Sequence, residues 1–223
     1  MNPNILRRFI QVLFVLILQA VLLFLSAGTT AWRQAWMFLM ISVLLLIVNL
    51  FVVPRDVIEE RGRRKKDAKR WDKILSGINI VPTVLMYVTA GLDYRLEWTG
   101  PAIHRMIIPG LFLVVAGSLL FTWSMVSNPF FSTMVRLQED RGHRVASSGP
   151  YRIVRHPGYT GYIIMTAGTP LALGTIPAFI FAGMTIVLLI VRTSLEDSTL
   201  QQELDGYREY TDQVRYRLFP LLW

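Results

Sequence analysis

The sequence predicts an all-α integral membrane protein with about six membrane helical segments. The last two form a tight helical hairpin, and a cytoplasmic C-terminal amphipathic helix follows. Three observations carry this. The 223 residues are 53% hydrophobic, and the apolar residues gather in runs approaching the roughly 20 residues that a helix needs to cross the hydrocarbon core. Basic residues collect between alternate runs. Proline and glycine punctuate the last two runs and nothing earlier so densely.

The apolar segments fall at about 9–25, 35–53, 74–91, 106–126, 159–173 and 176–191. The first follows Arg7 and Arg8. It is longer than the apolar core of a signal peptide and lacks a clean cleavage site, so it reads as a retained signal anchor. The last two are joined by Pro170-Leu-Ala-Leu-Gly-Thr-Ile-Pro177, whose prolines and glycine should break the helix. A hairpin that enters and returns to the same side is expected. In the tail, Leu200, Leu204, Tyr207, Tyr210 and Val214 recur at steps of three or four, the period of an amphipathic helix, with Gly206 weakening it. Glu196 lies four residues before Leu200 and so shares that helix's buried side, where a carboxylate needs a cationic partner or a ligand.

Charge gives the orientation. With the N-terminus inside, the inside segments are the N-terminus, 54–73, 128–157 and the tail. These hold 20 of the 23 Lys and Arg, leaving Arg33, Arg95 and Arg105 outside. The asymmetry places both termini on the cytoplasmic face. The run Arg61-Gly-Arg-Arg-Lys-Lys66 reads as a topology determinant touching anionic headgroups of the membrane lipids. Its sharper reading is a docking site for an acidic substrate.

Composition also excludes. The net charge of +8 fits basic loops at a membrane; no soluble domain remains to bind nucleic acid, and none is expected as a partner. There is no cysteine, hence no disulfide, thiolate metal site or cysteine nucleophile. Three histidines without ligand spacing predict no metal. No strand-associated Gly-x-Gly-x-x-Gly occurs, so a soluble dinucleotide-binding enzyme is unsupported.

The chemistry concentrates in two polar clusters on the cytoplasmic side. The first is Ser148-Gly-Pro-Tyr-Arg-Ile-Val-Arg-His-Pro-Gly-Tyr-Thr-Gly161. Polar side chains at the mouth of a membrane helix are costly to hold there, which marks a functional site. Gly149-Pro150 sets a turn, Pro157 suits a first helical turn, and His156 then sits at the N-cap. Arg155 can hold a carboxylate bidentately. The blander account is that Arg152 and Arg155 snorkel to headgroups and His156 caps the helix. The second cluster is Glu196, Asp197, Glu203, Tyr207, Tyr210, Arg215 and Arg217.

One family joins these pieces. His143-Arg-Val-Ala-Ser-Ser-Gly-Pro-Tyr151, Arg155-His-Pro-Gly-Tyr159 with Gly161, Glu196-Asp197, Leu200, Tyr207-Arg-Glu-Tyr210, Val214 and Pro220 resemble the isoprenylcysteine carboxyl methyltransferases. Phospholipid N-methyltransferases are their relatives. The resemblance covers roughly 128–220. It implies a catalytic region over 128–223, built of loop, hairpin and C-terminal helix, with 1–127 as helices and a basic loop in support. It implies S-adenosylmethionine as cofactor, in a pocket between the hairpin and the C-terminal segment. His143, Val145, Gly149, Tyr151, His156, Pro157 and Tyr159 would form its wall, with Tyr210 and Arg217. Arg155 and Glu196 match positions near the reacting centre and are the expected catalytic residues. The family often has two glutamates where this chain has Glu196-Asp197.

The residue types agree with that cofactor, whose sulfonium and ammonium suit a carboxylate or aromatic faces and whose carboxylate suits a cation or backbone amides. The expected reaction is carboxyl O-methylation of an isoprenylcysteine-like acid, a lipophilic or lipidated substrate taken from the bilayer. Three other readings remain. An amine headgroup could be methylated instead, with Glu196 or His156 as base. Sterol-reductase-like membrane enzymes share an Arg-His-x-x-Tyr element and use NADPH, but Pro157-Gly158 fits the methyltransferases better. A small transporter or scaffold would carry ionisable residues within its spans; the spans hold Gln11, Gln19, Asn49 and Asn79, types that commonly bond between helices.

Overall fold

A computed structural model describes residues 2–64 and 67–223. Lys65 and Lys66, which end the basic run, lie outside the described residues. The chain is helical, with no strand among the described residues. Helix α1 spans Pro3–Ala27, α2 Arg33–Val52, the short α3 Arg55–Gly62, α4 Arg70–Leu96, α5 Ile107–Ser127, α6 Pro157–Leu173, α7 Ala178–Glu203 and the short α8 Tyr207–Gln213. Five segments are long and apolar enough to cross a membrane: α1, α2, α4, α7 and the stretch Pro101–Ser127 that contains α5. The protein is therefore a multi-pass membrane protein.

The sixth expected segment, α6, has 17 residues and extends about 26 Å at 1.5 Å per residue. It still reaches the far end of the bundle. Its C-cap is Gly174, left-handed at φ 73°, in van der Waals reach of His104. The next turn is tied there as well, where the Ile176 amide donates to Thr99 Oγ1 at 3.0 Å. Pro170 lies inside the last turns of α6 rather than ending it. The break falls at Gly174–Pro177, after which α7 begins.

The hairpin is joined at its tip, but α6 lies closest to α5. Glycines on both helices make this possible. A Cβ on Gly117 would sit 2.5 Å from the Gly161 carbonyl oxygen, and one on Gly161 would sit 2.5 Å from the Gly117 oxygen. Gly110 and Gly168 are equally crowded, with a Cβ at 2.3 Å from the Ala172 nitrogen and 2.7 Å from Leu113 Cβ. Small residues let membrane helices approach until their backbones touch. Lipid-facing α1 and α2 keep large apolar side chains such as Phe14, Leu44 and Phe51 exposed, while Leu23, Trp32, Phe38 and Met86 build the core with α5, α6 and α7.

The tail differs from a single amphipathic helix. Helix α7 runs through Glu196 and Asp197 to Glu203, the chain breaks at Leu204–Gly206, and α8 restarts from Gly206 at φ 78°. The expected apolar set still converges: Leu204, Tyr207, Tyr210 and Val214 are buried together, with Leu200, Leu137 and Val145 against them. Gly206 supplies the left-handed turn that a helix interior would not need.

All the polar ends meet at one end of the bundle. Arg7 Nη1 of α1 donates to the Gly62 carbonyl at 3.2 Å. Lys69 pairs with Glu203 at 2.6 Å, and Asn49 of α2 accepts from Thr122 of α5 at 2.8 Å. The site lies at this end.

Candidate active site

Asp197, fully buried, accepts six hydrogen bonds. Its Oδ1 takes Arg155 Nε at 2.8 Å, His156 Nε2 at 3.1 Å and the Tyr207 hydroxyl at 3.1 Å. Its Oδ2 takes Arg155 Nη2 at 3.0 Å, Gln201 Nε2 at 2.7 Å and Arg217 Nε at 2.9 Å. One carboxylate thus ties the loop before α6, the end of α7, α8 and the C-terminal segment. Burying a charge is tolerable only with this degree of pairing and hydrogen bonding. Arg155 also donates through Nη1 to the Val214 and Arg215 carbonyls at 2.9 and 2.6 Å. Four of its five N–H groups are therefore spent inside the protein. Burial alone would depress its pKa, but the hydrogen bonds and charge of Asp197 raise it, so it stays a cation. The backbone closes the same seam: the Arg155 and His156 amides donate to the Tyr216 and Arg217 carbonyls, each at 2.9 Å. Tyr210 Oη donates to the Tyr151 carbonyl at 2.6 Å.

Beside this knot lies a cavity of about 250 Å³. Of the residues expected from sequence, His143, Val145, Tyr151, Arg155, His156, Tyr159, Glu196 and Tyr210 line it. Gly149, Pro157 and Arg217 do not. Gly149 holds φ 56° with a would-be Cβ only 2.3 Å from Ser127 Oγ. Pro157 is the first, fully buried residue of α6, and His156 is its N-cap. The His156 side chain makes no capping bond and turns to Asp197 instead. Arg217 lies behind Asp197 with its guanidinium 4.9 Å from the centre of the Trp223 ring.

Glu196 faces the cavity and accepts a short hydrogen bond from Tyr159 Oη. His143 is neutral at physiological pH. Burial, then the charges of Arg136 and Arg141, lower its pKa to about 4. Its Nδ1 accepts from the Gln138 amide at 3.3 Å, and its ring packs 4.7 Å from that of Phe130. Burial pushes the Tyr151 and Tyr210 phenols up. Tyr207 rises for the same reason and then through the charges of Asp197 and Glu196. All three stay protonated: Tyr207 and Tyr210 donate through their hydroxyls, while the Tyr151 hydroxyl accepts from Asn128 Nδ2 at 3.3 Å.

Sequence reasoning missed two further knots that shape the cavity. Asp72, at the start of α4 and fully buried, accepts from Arg192 Nε at 2.6 Å, Arg192 Nη2 at 3.1 Å and the Val135 amide at 2.7 Å. Arg192 Cζ lies 5.3 Å from the Tyr159 ring centre. Arg136 is gripped by Glu60 through Nε and Nη2, both at 3.1 Å, and by Asp67 and Asp140 at 2.8 and 3.0 Å. The available signal was Arg192 itself, a charge one residue beyond an apolar run, where an ionisable side chain calls for a partner.

Fold and site together define a helical membrane bundle with a cavity at its charged end, lined by both polar and apolar side chains. Residues 110–202 match the isoprenylcysteine carboxyl methyltransferase (ICMT) family. Over this region the chain is similar to that family, which its motifs also resemble. It is 28% identical over 108 residues to protein-S-isoprenylcysteine O-methyltransferase B of Arabidopsis thaliana, covering 47% of this chain and 55% of that protein. The A form from the same plant is 26% identical over the same length and shares. A probable protein-S-isoprenylcysteine O-methyltransferase of Oryza sativa subsp. indica is 32% identical over 65 residues, 29% of this chain and 34% of the relative. The chain thus matches about half the length, or less, of these curated relatives.

The residues present fit a methyl donor of the sulfonium type. The cavity presents a carboxylate, Glu196, among the rings of Tyr151, Tyr159, Tyr207 and Tyr210, and apolar side chains of Val145, Leu200 and Leu204. Carboxylate and aromatic faces are what cationic groups require.

Proposed function

We propose that this protein is a membrane methyltransferase that uses S-adenosylmethionine to methylate the carboxylate of an isoprenylcysteine-like, lipophilic acid. The observation that carries this reading is Glu196, held by Tyr159 on the wall of a cavity inside the family-matching region. When bound, S-adenosylmethionine supplies a methyl group on a sulfonium, open to direct displacement. Glu196 and the tyrosine faces would hold its cationic groups, and His143, Val145, Leu200 and Leu204 its less polar parts. Arg155, His156, Tyr207 and Asp197 fix the floor of the site. A carboxylate acceptor is already a nucleophile, so no side chain needs to remove a proton. The protein's contribution is alignment and exclusion of water. We assign the polar end of the bundle to the cytoplasm, because 20 of the 23 Lys and Arg lie on that side. Both termini and the cofactor site then face the cytoplasm, and the acceptor enters from the bilayer.

The test is transfer of a labelled methyl group to N-acetyl-S-farnesylcysteine by the detergent-purified protein. The acceptor should become a base-labile methyl ester. Glu196→Gln should lower turnover on the order of a hundredfold in a protein that melts as the parent does. A stable N-methyl product from an amine lipid, with no ester from the acid, would replace this reading.

A further inference from the structure

Among the described residues, one half-buried arginine lining the cavity makes no ion pair. Arg136 is neutralised by Glu60, Asp67 and Asp140, Arg155 by Asp197 and Arg192 by Asp72. Arg144 lies exposed at the rim. Arg61, in the last turn of α3, has no carboxylate within ion-pair distance among the described residues. Its guanidinium carbon instead lies 5.4 Å from the centre of the Phe121 ring and 5.2 Å from that of Phe131. Both rings line the cavity with it and belong to an apolar cluster with Val53, Val57 and Met125. Two aromatic faces attract the cation but carry no formal negative charge to neutralise it. Burial, then the charges of Arg8 and Arg192, lower the Arg61 pKa well below its usual value. Of the groups nearby, Arg8 and Arg192 add like charge, and Asp72 is already paired with Arg192.

We infer that Arg61 is the acceptor-binding residue: its guanidinium takes the carboxylate of the lipophilic acid at the apolar side of the cavity, with Phe121 and Phe131 flanking the headgroup. The inference rests on the methyltransferase reading and deepens it. It selects an anionic acceptor over an amine, since an ammonium or amine headgroup would meet net positive charge there. It also moves the carboxylate-binding role from Arg155, whose donors are mostly committed to Asp197 and the backbone, to a residue outside the family-matching segment. The N-terminal helices then contribute a recognition group as well as a scaffold.

The experiment compares the parent with Arg61→Gln and Arg61→Lys in detergent, using N-acetyl-S-farnesylcysteine and its uncharged carboxamide. Four quantities are read: KM and kcat for the acid, competition by the carboxamide, and calorimetric binding of S-adenosylhomocysteine. In Arg61→Gln, KM for the acid should rise about tenfold or more, the loss of one charge-assisted contact. Binding of S-adenosylhomocysteine should stay within about twofold. The parent should prefer the acid to the carboxamide by a similar factor, Arg61→Gln should lose that preference, and Arg61→Lys should restore part of it. An unchanged KM in Arg61→Gln would overturn the inference, as would a parallel loss of S-adenosylhomocysteine binding or a retained preference for the acid. Failure of the methyltransferase reading looks different: the parent itself would neither bind S-adenosylhomocysteine nor transfer methyl. Direct binding of the labelled acid and carboxamide to the parent and Arg61→Gln would still report on Arg61 in that case.

Discussion

At the scale of residues, Glu196 and Asp197 are neighbours on one helix with different surroundings. Asp197 is fully buried and saturated by Arg155, His156, Tyr207, Gln201 and Arg217; Glu196 faces the cavity with Tyr159. Asp197→Asn removes the charge that Arg155 and Arg217 share while keeping the shape. Uncompensated buried charge costs about 3–5 kcal/mol, so Tm in detergent should fall by roughly 6–20 °C and activity with it. A melting point equal to the parent's would show that the knot is not structural. The sequence spacing had Glu196 on the same side as Leu200, and it is: Glu196, Leu200 and Leu204 all line the cavity. The apolar side read from periodicity is thus a packed cluster that also forms one wall of a hollow. Asp197 points the other way, along with fully buried Thr193 one turn earlier. Periodicity identifies which residues share a face; only tertiary packing says what that face meets.

At the scale of elements, hydropathy located the helices but not their ends. The apolar run 176–191 becomes a 26-residue helix, Ala178–Glu203, because the helix continues past the lipid into the site. Arg192, Glu196 and Asp197 thereby extend one rigid rod, which presents them in fixed register. The run 74–91 likewise grows to Arg70–Leu96, which brings Asp72 to Arg192. The α5–α6 seam was not legible, since Gly110, Gly117, Gly161 and Gly168 looked like ordinary glycines in apolar runs. Their contacts require backbones in touch. Gly117→Leu should therefore prise α5 from α6, shift the loop that follows Ser127, and cost both stability and activity. By contrast, Gly183→Leu on α7, where a Cβ meets nothing within 4 Å, should leave thermal stability unchanged. Equal melting points for the two variants would contradict the packing argument.

At the scale of the whole molecule, the charge asymmetry of the sequence and the geometry of the bundle coincide. The N-terminus of α1, the C-terminus of α2, the N-terminus of α4 and the ends of α5, α6 and α7 nearest the cavity all gather at the basic end. What composition could not foretell is that Arg61, in a segment with no family motif, reaches the same cavity as Glu196 from the hairpin. That convergence depends on α3 folding back under α1, where Gly62 sits so close to Asn4 that a Cβ would lie 1.9 Å from its carbonyl oxygen. Calorimetric titration of the detergent-purified protein with S-adenosylhomocysteine, beside a parallel titration with NADPH, tests the account at its centre. Saturable one-to-one binding of S-adenosylhomocysteine and none of NADPH is the predicted result. Binding of NADPH alone, or of neither ligand to a folded sample, would contradict it.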